Sequence, residues 1–380
     1  MSNIMDYLNL RADISLKKDN INEIDKIILA RFSYLPFKAI ELKKKDTIEN
    51  ISKKMEKLDK NKFCWKDDKE FIIKLGQTNR YKNLIISGYK EIVDLNAEKQ
   101  FAAITIKLPH RLKYISFRGT DMSLVGWKED FNMSFMQDIP SQKEAVKYLN
   151  EVGKRHIGKL IIGGHSKGGN IGVYAAMYCD VKVKNKIIEI INADGPGFNE
   201  NIIKSKEYFE ILERINTYIP QSSIIGRLLE HEDDYEIIYS TQKGIMQHDL
   251  YSWQVDGVNL VRIQNLTDES KFVNKVVRNW LQNTTLNQRE NFVNLIYDVL
   301  LTTEAKDITD FGVDTINKIK TVIKSYKNIE KEDKKEIEEM FKLLFESIIN
   351  TIKETRKEEK VWNYYLQQEM KINMNLWKED

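Results

Sequence analysis

A chain of 380 residues, 42% of them hydrophobic, is long enough to bury a full core and to hold one large domain plus an appendage. Its 60 basic and 57 acidic side chains nearly cancel and are spread along the chain, which argues against a nucleic-acid partner. The N-terminus lacks the continuous apolar region of a secretory signal, and no segment approaches the roughly 20 apolar residues of a membrane-spanning helix. We therefore expect a soluble, cytoplasmic protein.

The first segments of the chain have apolar residues at helical spacing, and β-rich segments follow them. Residues 22–31 have apolar side chains at helical spacing, and residues 46–60 predict a second, more charged helix. Residues 84–95 and 101–108 are β-rich and are separated by a short turn, which predicts a hairpin. An N-terminal helical cap is therefore expected to precede a sheet.

Short apolar strands then alternate with helices. The predicted strands are bounded by turn residues or charges and cover residues 114–117, 159–164, 187–193, 215–220 and 236–240. Helical patterns lie between them, at residues 145–155 and 168–179. This alternation predicts an α/β protein with a mostly parallel sheet that is covered by helices on both faces.

The strand pattern stops near residue 262, and the remainder of the chain is helical throughout. We therefore divide the chain into an α/β domain at residues 1–262, which includes the N-terminal helices, and a helical accessory region at residues 263–380. The simplest interpretation of this C-terminal appendage is a bundle packed on the domain. Its amphipathic helices are also compatible with a peripheral membrane contact or with a protein partner.

Residues 164–168 read Gly-His-Ser-Lys-Gly and stand between an apolar strand and an alanine-rich helix. This context is typical of a nucleophile elbow, in which Gly164 and Gly168 permit a strained turn that lifts the Ser166 hydroxyl above the sheet. The helix that follows aims its amide dipoles at a developing oxyanion. The pattern predicts Ser166 as a nucleophile. The alternative is a serine that only turns a βα unit in a core that has lost activity.

A second motif, FRGT at residues 117–120, follows the strand before the elbow, and Trp127 and Asp130 form a W-x-x-D pattern further along. In these segments the sequence resembles the class 3, fungal-type lipases, and specifically the bacterial lipase-like branch called Mbeg-like. The resemblance covers most of the chain and is strongest at residues 101–253. It implies an α/β-hydrolase fold.

The resemblance also implies an oxyanion hole. Thr120 would supply a backbone N–H and its hydroxyl, and Asp130 would orient that hydroxyl. The second N–H would come from Lys167, the residue after the nucleophile. An alternative role for Asp130 is a buried ion pair with Arg118 that holds the loop.

A general base is expected after the last core strand, and of the five histidines only His248 has that place in the chain. The sequence departs from the lipase pattern at the acidic residue that orients the general base, because the matching residues 221–225 contain no carboxylate. Asp194, at the end of the strand beside the nucleophile strand, is the best substitute, although it is also placed to cap a Gly-Pro-Gly turn. Weaker candidates for the acid are Asp233, Asp234 and Asp249.

Metal-ligand spacings, a Walker loop and a complete dinucleotide fingerprint are all missing, so no metal or cofactor is expected. The sequence predicts a serine esterase or lipase that cleaves carboxylic esters through an acyl-enzyme on Ser166. The resemblance favours lipid esters as substrates, and the same site would also cleave thioesters. Two other functions stay open: a binding or scaffold protein on an inactive hydrolase core, and a defence effector that attacks membrane lipids.

Overall fold

The computed structural model describes residues 2–11, 13–121, 123–231, 234–301 and 330–376. The strands are β1 (Lys45–Thr47), β2 (Ile85–Asp94), β3 (Lys99–Lys107), β4 (Leu112–Phe117), β5 (Lys159–His165), β6 (Ile187–Ala193), β7 (Ile215–Pro220), β8 (Tyr235–Ile238), β9 (Val255–Asp256), β10 (Asn259–Leu260) and β11 (Arg262–Ile263). The helices are α1 (Ile4–Leu10), α2 (Glu23–Phe32), α3 (Ile48–Met55), α4 (Asp68–Gln77), α5 (Leu124–Asn132), α6 (Pro140–Lys154), α7 (Lys167–Tyr178), α8 (Val181–Lys184), α9 (Glu200–Ile203), α10 (Lys206–Phe209), α11 (Asp268–Gln282), α12 (Leu286–Leu301) and α13 (Lys331–Leu376).

Nine strands form one sheet in the order β1-β2-β3-β4-β5-β6-β7-β8-β11. The five central strands, β4 to β8, run parallel to their neighbours. Strands β1, β2 and β3 pair antiparallel at one edge, and β11 pairs antiparallel with β8 at the other. The predicted mixed α/β architecture with a mostly parallel central sheet is therefore confirmed. The carboxyl ends of β4 to β8 all meet at one edge, where the candidate residues lie.

Helices cover both faces of the sheet, and side chains along each strand alternate between them. On β5, Ile161 packs with the N-terminal helices, whereas Ile162 packs with the layer that contains α6 and α7. Because α2 packs directly on β4, β5 and β6, the N-terminal helices form one complete layer of the domain. The predicted N-terminal cap is thus a sheet-covering layer.

Local sequence signals explain where the N-terminal helices begin and end. Helix α2 begins after Asn22, whose side chain accepts a hydrogen bond from the Asp25 amide while the Asp25 carboxylate accepts one from the Asn22 amide. The predicted helix at residues 46–60 is shorter in the structure, because its first residues join the sheet as β1. Helix α4, which the sequence analysis missed, contributes Asp68 to a buried ion pair with Arg31.

The first C-terminal helix, α11, packs on the loop that follows β7. The Ser270 hydroxyl donates to the Ser223 carbonyl at 2.6 Å, and the Asn274 side-chain amide donates to the Arg227 carbonyl at 2.6 Å. Helix α11 packs on α13, and α12 packs on both α13 and α5. The division at residue 262 stays a prediction.

None of the described helices combines the length and the apolar character that a bilayer-spanning segment requires. The cytoplasmic location stays a prediction from the sequence.

Asn274→Ala is expected to destabilise the whole domain. Asn274 also accepts a hydrogen bond from the Arg227 guanidinium at 3.2 Å, so its loss removes the donor to the Arg227 carbonyl and one partner of the guanidinium, which keeps its bond to the Tyr235 hydroxyl. Such a loss costs about 1–3 kcal/mol, which denaturant unfolding would detect. The control is Asn283→Ala, which removes an exposed amide on the same helix and should change stability by less than about 0.5 kcal/mol. Equal unfolding curves for both variants would show that α11 does not stabilise the sheet.

Candidate active site

Ser166 lies at the sharp turn between β5 and α7. Its backbone has φ 59° and ψ −137°, a conformation that side chains with a Cβ rarely adopt. A Cβ at Gly164 would overlap the backbone of Gly168, and one at Gly168 would stand 2.9 Å from the Gly119 nitrogen. The two glycines are therefore required because three backbone segments touch at the turn. The Ser166 side chain is left partly exposed at the end of the sheet.

Asp194 and His248 meet at this end of the sheet although 54 residues separate them. The Asp194 Oδ2 atom lies 2.6 Å from His248 Nδ1. Because an ionised carboxylate only accepts hydrogen bonds, Nδ1 carries the proton and Nε2 is the unprotonated nitrogen of the neutral ring. Asp194 is 1% exposed, whereas the His248 side chain is 19% exposed.

Two further donors fix the Asp194 carboxylate. Its Oδ1 atom accepts hydrogen bonds from the Ser223 hydroxyl at 2.5 Å and from the Gly226 amide at 3.1 Å. The Asp194 backbone has φ 49°, which an aspartate tolerates better than most residues. The carboxylate is thus held in one orientation by donors from the loop after β7.

The position of His248 relative to the elbow is set by His165, the residue before Ser166. The two imidazole rings have centroids 4.3 Å apart, and His165 Nε2 lies 2.7 Å from the His248 carbonyl oxygen. Within the described part of the chain, the Ser166 hydroxyl forms no hydrogen bond with His248. Catalytic hydrogen bonds are often long without substrate and shorten when it binds.

The FRGT segment packs directly against the elbow. A Cβ on Gly119 would lie 3.0 Å from the Ser166 Cβ. The Thr120 hydroxyl donates to Asp130 Oδ2 at 2.5 Å, the contact expected from the resemblance. Lys167 is the first residue of α7, so its amide is one of the helix N–H groups without a partner inside the helix. The two amides proposed for an oxyanion therefore flank the serine.

The Lys167 side chain is buried beneath this arrangement. Its ammonium group donates to Glu129 Oε2 at 2.9 Å and to Gln100 Oε1 at 2.8 Å, and it lies 3.7 Å from Asp130 Oδ1. Burial raises the pKa of Asp130 to about 6, an effect that Lys167 and the Thr120 hydroxyl partly oppose. Because both its side chain and its backbone are held, Lys167 fixes the N-terminus of α7.

The alternative ion pair between Arg118 and Asp130 is wrong. Arg118 turns to the opposite side and pairs with Glu91 and Asp121, each at 3.1 Å. The sequence did not show this because Glu91 comes from the neighbouring strand pair.

Of the weaker acid candidates that the structure describes, neither Asp234 nor Asp249 forms a hydrogen bond with the His248 ring, whose carboxylate partner is Asp194. Asp249 accepts a hydrogen bond from the Tyr251 amide in the next turn, and Asp234 is exposed. Asp233 lies outside the described residues. Among the residues that the structure describes, no cluster of three or more histidine, cysteine or acidic side chains could hold a metal.

Three buried contributors were missed by the sequence reasoning: Ser223, Glu129 and His165. Ser223 lies within residues 221–225, the segment that matches the acid of the lipase pattern, and its hydroxyl donates to Asp194. A second histidine was not expected at the site, because only His248 has the chain position of a general base. Glu129 sits beside Asp130 in the motif, and only the fold reveals its pairing with Lys167.

The family model described as Mbeg1-like matches residues 75–298, more than half of the chain. The chain belongs to the Mbeg1-like family. The family expected from the sequence motifs is thereby confirmed. No curated protein matches this family member.

Three solved structures are similar to this Mbeg1-like chain. M37 lipase is 19% identical with a TM-score of 0.35, and the alignment covers 53% of this chain and 68% of that one. The lipase propeptide complex of Rhizomucor miehei is 16% identical with a TM-score of 0.31, covering 42% and 57%. The lipase of Rhizopus microsporus var. chinensis is 16% identical with a TM-score of 0.29, covering 40% and 61%. The chain therefore spans less than two thirds of the length of both fungal lipases.

Asp130→Asn is expected to change how stability depends on pH. Because the folded-state pKa of Asp130 is raised to about 6, the native state holds a proton that the unfolded chain releases, and this contribution to stability is lost as pH rises from about 4 to 6. Urea unfolding at pH 4 to 7 should show the variant gaining stability relative to the parent protein across that range, by about 1–3 kcal/mol.

The matched control is Glu144→Gln. Burial opposes ionisation of Glu144, but its bonds to Lys90 and Lys99 dominate and lower its pKa. The ionised Glu144 therefore stabilises the folded protein at neutral pH, and this stabilisation is lost in acid. Glu144→Gln should thus lose stability relative to the parent protein as the pH rises, the opposite of Asp130→Asn. If the free energies of unfolding of Asp130→Asn and of the parent protein depend on pH in the same way, the raised pKa of Asp130 is contradicted.

Proposed function

We propose that the protein is a serine hydrolase of the esterase or lipase type on an α/β-hydrolase fold. Ser166 is the nucleophile, His248 the general base and Asp194 the acid of the triad. The observation that carries this proposal is the 2.6 Å contact between Asp194 and His248 Nδ1, beside a serine at a strained strand-to-helix turn. Asp194 therefore holds the one imidazole tautomer that can accept a proton at Nε2.

The acylation step follows from this arrangement. Ser166 Oγ attacks the carbonyl carbon of the ester while His248 Nε2 takes its proton, and the buried Asp194 carboxylate stabilises the imidazolium that forms. The negative charge on the former carbonyl oxygen is held by the amides of Thr120 and Lys167. When the ester bond breaks, the alcohol leaves with the proton from His248, and the acyl group stays on Ser166.

Deacylation repeats these steps with water. His248 Nε2 removes a proton from a water molecule, whose oxygen attacks the acyl-enzyme carbonyl, and Ser166 leaves with that proton. The carboxylic acid is released and the resting enzyme is restored. No metal or cofactor takes part in this sequence of steps.

Carboxylic esters with apolar acyl groups are the proposed substrates. Exposed apolar side chains flank both halves of the site along the chain: Phe131, 56% exposed, is next to Asp130, and Met246, 53% exposed, is two residues before His248. Exposed apolar groups beside a catalytic centre favour an apolar substrate or a lipid surface. They also support the peripheral membrane contact that the sequence suggested.

Ser166→Ala is expected to abolish hydrolysis of short acyl esters while the protein stays folded. The change removes one partly exposed hydroxyl and opens no cavity in the core. Purified variant and parent proteins are compared with p-nitrophenyl esters, and circular dichroism checks the fold. Normal turnover by a folded variant would end the assignment of Ser166, whereas a folded parent protein that hydrolyses no ester would favour the inactive scaffold.

Asp194→Asn should lower kcat by about 10⁴, because an amide favours the wrong imidazole tautomer and does not stabilise the imidazolium. The matched control is Asp46→Asn, which removes another buried carboxylate, paired with Lys54 at the far edge of the sheet. Asp46→Asn should lower stability without changing kcat. If Asp194 only caps its turn, both variants will keep near-normal kcat.

A further inference from the structure

We propose that Tyr34 and His165 are positioning residues for the general base: they tie the 244–252 loop, which carries His248, to the N-terminal helical layer. The kinetic part of this inference rests on the proposed function. Its structural part is a chain of hydrogen bonds from the Tyr34 hydroxyl through the His165 ring to the backbone of His248.

The chemistry of the partners fixes the direction of these bonds. The His248 carbonyl oxygen only accepts, so His165 Nε2, 2.7 Å away, must carry a proton. Complete burial holds the pKa of His165 well below its ordinary value, and the nearby His248 and Arg31 act in the same direction, so the ring is neutral. A neutral ring with a proton on Nε2 has a bare Nδ1, so the Tyr34 hydroxyl faces two acceptors of the same residue, His165 Nδ1 at 3.0 Å and the His165 carbonyl oxygen at 3.1 Å.

The neutrality of His165 matters because its ring packs against the ring of the base at an interplanar angle of 36°. With ring centroids 4.3 Å apart, a positive charge on His165 would oppose the imidazolium that His248 forms during each turnover. A neutral His165 supports the base loop without that penalty. An apolar side chain would also be neutral, but it would leave the His248 carbonyl without a donor.

The N-terminal layer holds Tyr34 in turn. The Arg31 guanidinium lies over the Tyr34 ring at 4.8 Å and forms a buried ion pair with Asp68. Asp68 also accepts the Tyr251 hydroxyl at 2.8 Å, and Tyr251 belongs to the same loop as His248. The base loop is thus tied to this layer at the backbone of His248 and again at Tyr251.

The N-terminal partners in these contacts are Tyr34, Arg31 and Asp68. All three precede the segment matched by the family model, which begins at residue 75. The first 74 residues therefore supply part of the structure that orients the base. We expect the loss of these contacts to lower kcat, because the base must be aligned with Ser166 in the transition state. KM should change little.

The kinetic test uses the full chain with substitutions at both positions. Tyr34→Phe should lower kcat about 5- to 10-fold, the effect of one lost hydrogen bond of about 1 kcal/mol. His165→Leu should lower kcat about a hundredfold, as a displaced catalytic group does. His165→Gln, whose amide can donate near the place of Nε2, should recover most of that loss. KM should stay within about threefold throughout, since these groups do not contact substrate.

Tyr114→Phe is the matched control. The Tyr114 hydroxyl is buried and donates to the Lys26 carbonyl at 2.8 Å, so it joins the same N-terminal layer to the sheet without a link to the base loop. Its loss should lower stability by about as much as Tyr34→Phe and leave kcat unchanged. Equal kcat for Tyr34→Phe and Tyr114→Phe, or no recovery in His165→Gln relative to a folded His165→Leu, would overturn the positioning role.

A second measurement separates this inference from the proposed function. In the parent protein labelled with ¹⁵N-histidine, the His165 signals, assigned by their loss in His165→Gln, should report a protonated Nε2 and a bare Nδ1 at neutral pH. A charged ring or the other tautomer would overturn the inference even in an active enzyme. A parent protein without hydrolysis would contradict the function alone, and the tautomer would then decide the structural link.

Discussion

The hydrogen bond between Asp194 and His248 is the contact on which the rest of the site depends. It joins the end of β6 to a loop beyond β8, so it forms only when the parallel strands stand in their observed order. The Asp194 side chain is buried, and a buried polar group is costly unless hydrogen bonds satisfy it. Ser223 and Gly226 supply donors to it from the loop after β7, which makes that loop part of the candidate site.

The two helical regions outside the central sheet support different members of the proposed triad. Helix α11 holds the loop after β7 through the bond from Ser270 to the Ser223 carbonyl, and so it supports the acid. The N-terminal layer holds the base loop through the partners of Tyr34 and Asp68. In this arrangement the C-terminal helices contribute to the site even though the sequence suggested an accessory region.

Much of the fold was predictable because its signals are local. Apolar runs bounded by turn residues marked β4 to β8, and the glycines around Ser166 marked the elbow. Chain order pointed to His248, and the end of the strand beside the nucleophile strand pointed to Asp194 as the best of several carboxylates; the structure brings these two side chains into contact.

Other features depend on contacts between distant segments and have no local signal. An ion pair of Arg118 with Asp130 was one alternative for the loop, yet the fold pairs Arg118 with Glu91 and Asp121. His165 adjoins Ser166 in the chain, and only the structure shows its ring against that of His248. In α4, Asp68 is buried against Arg31, which lies 37 residues away in the chain. Each of these required knowledge of which strands and helices are neighbours.

The central claim is that Ser166 is an activated nucleophile, and covalent labelling tests it most directly. The protein is incubated with a fluorophosphonate, digested and analysed by mass spectrometry. The account predicts one phosphonyl adduct, on the peptide that contains Ser166, and strong loss of that adduct in His248→Ala. An unlabelled Ser166 in folded protein, or equal labelling with and without His248, would contradict it.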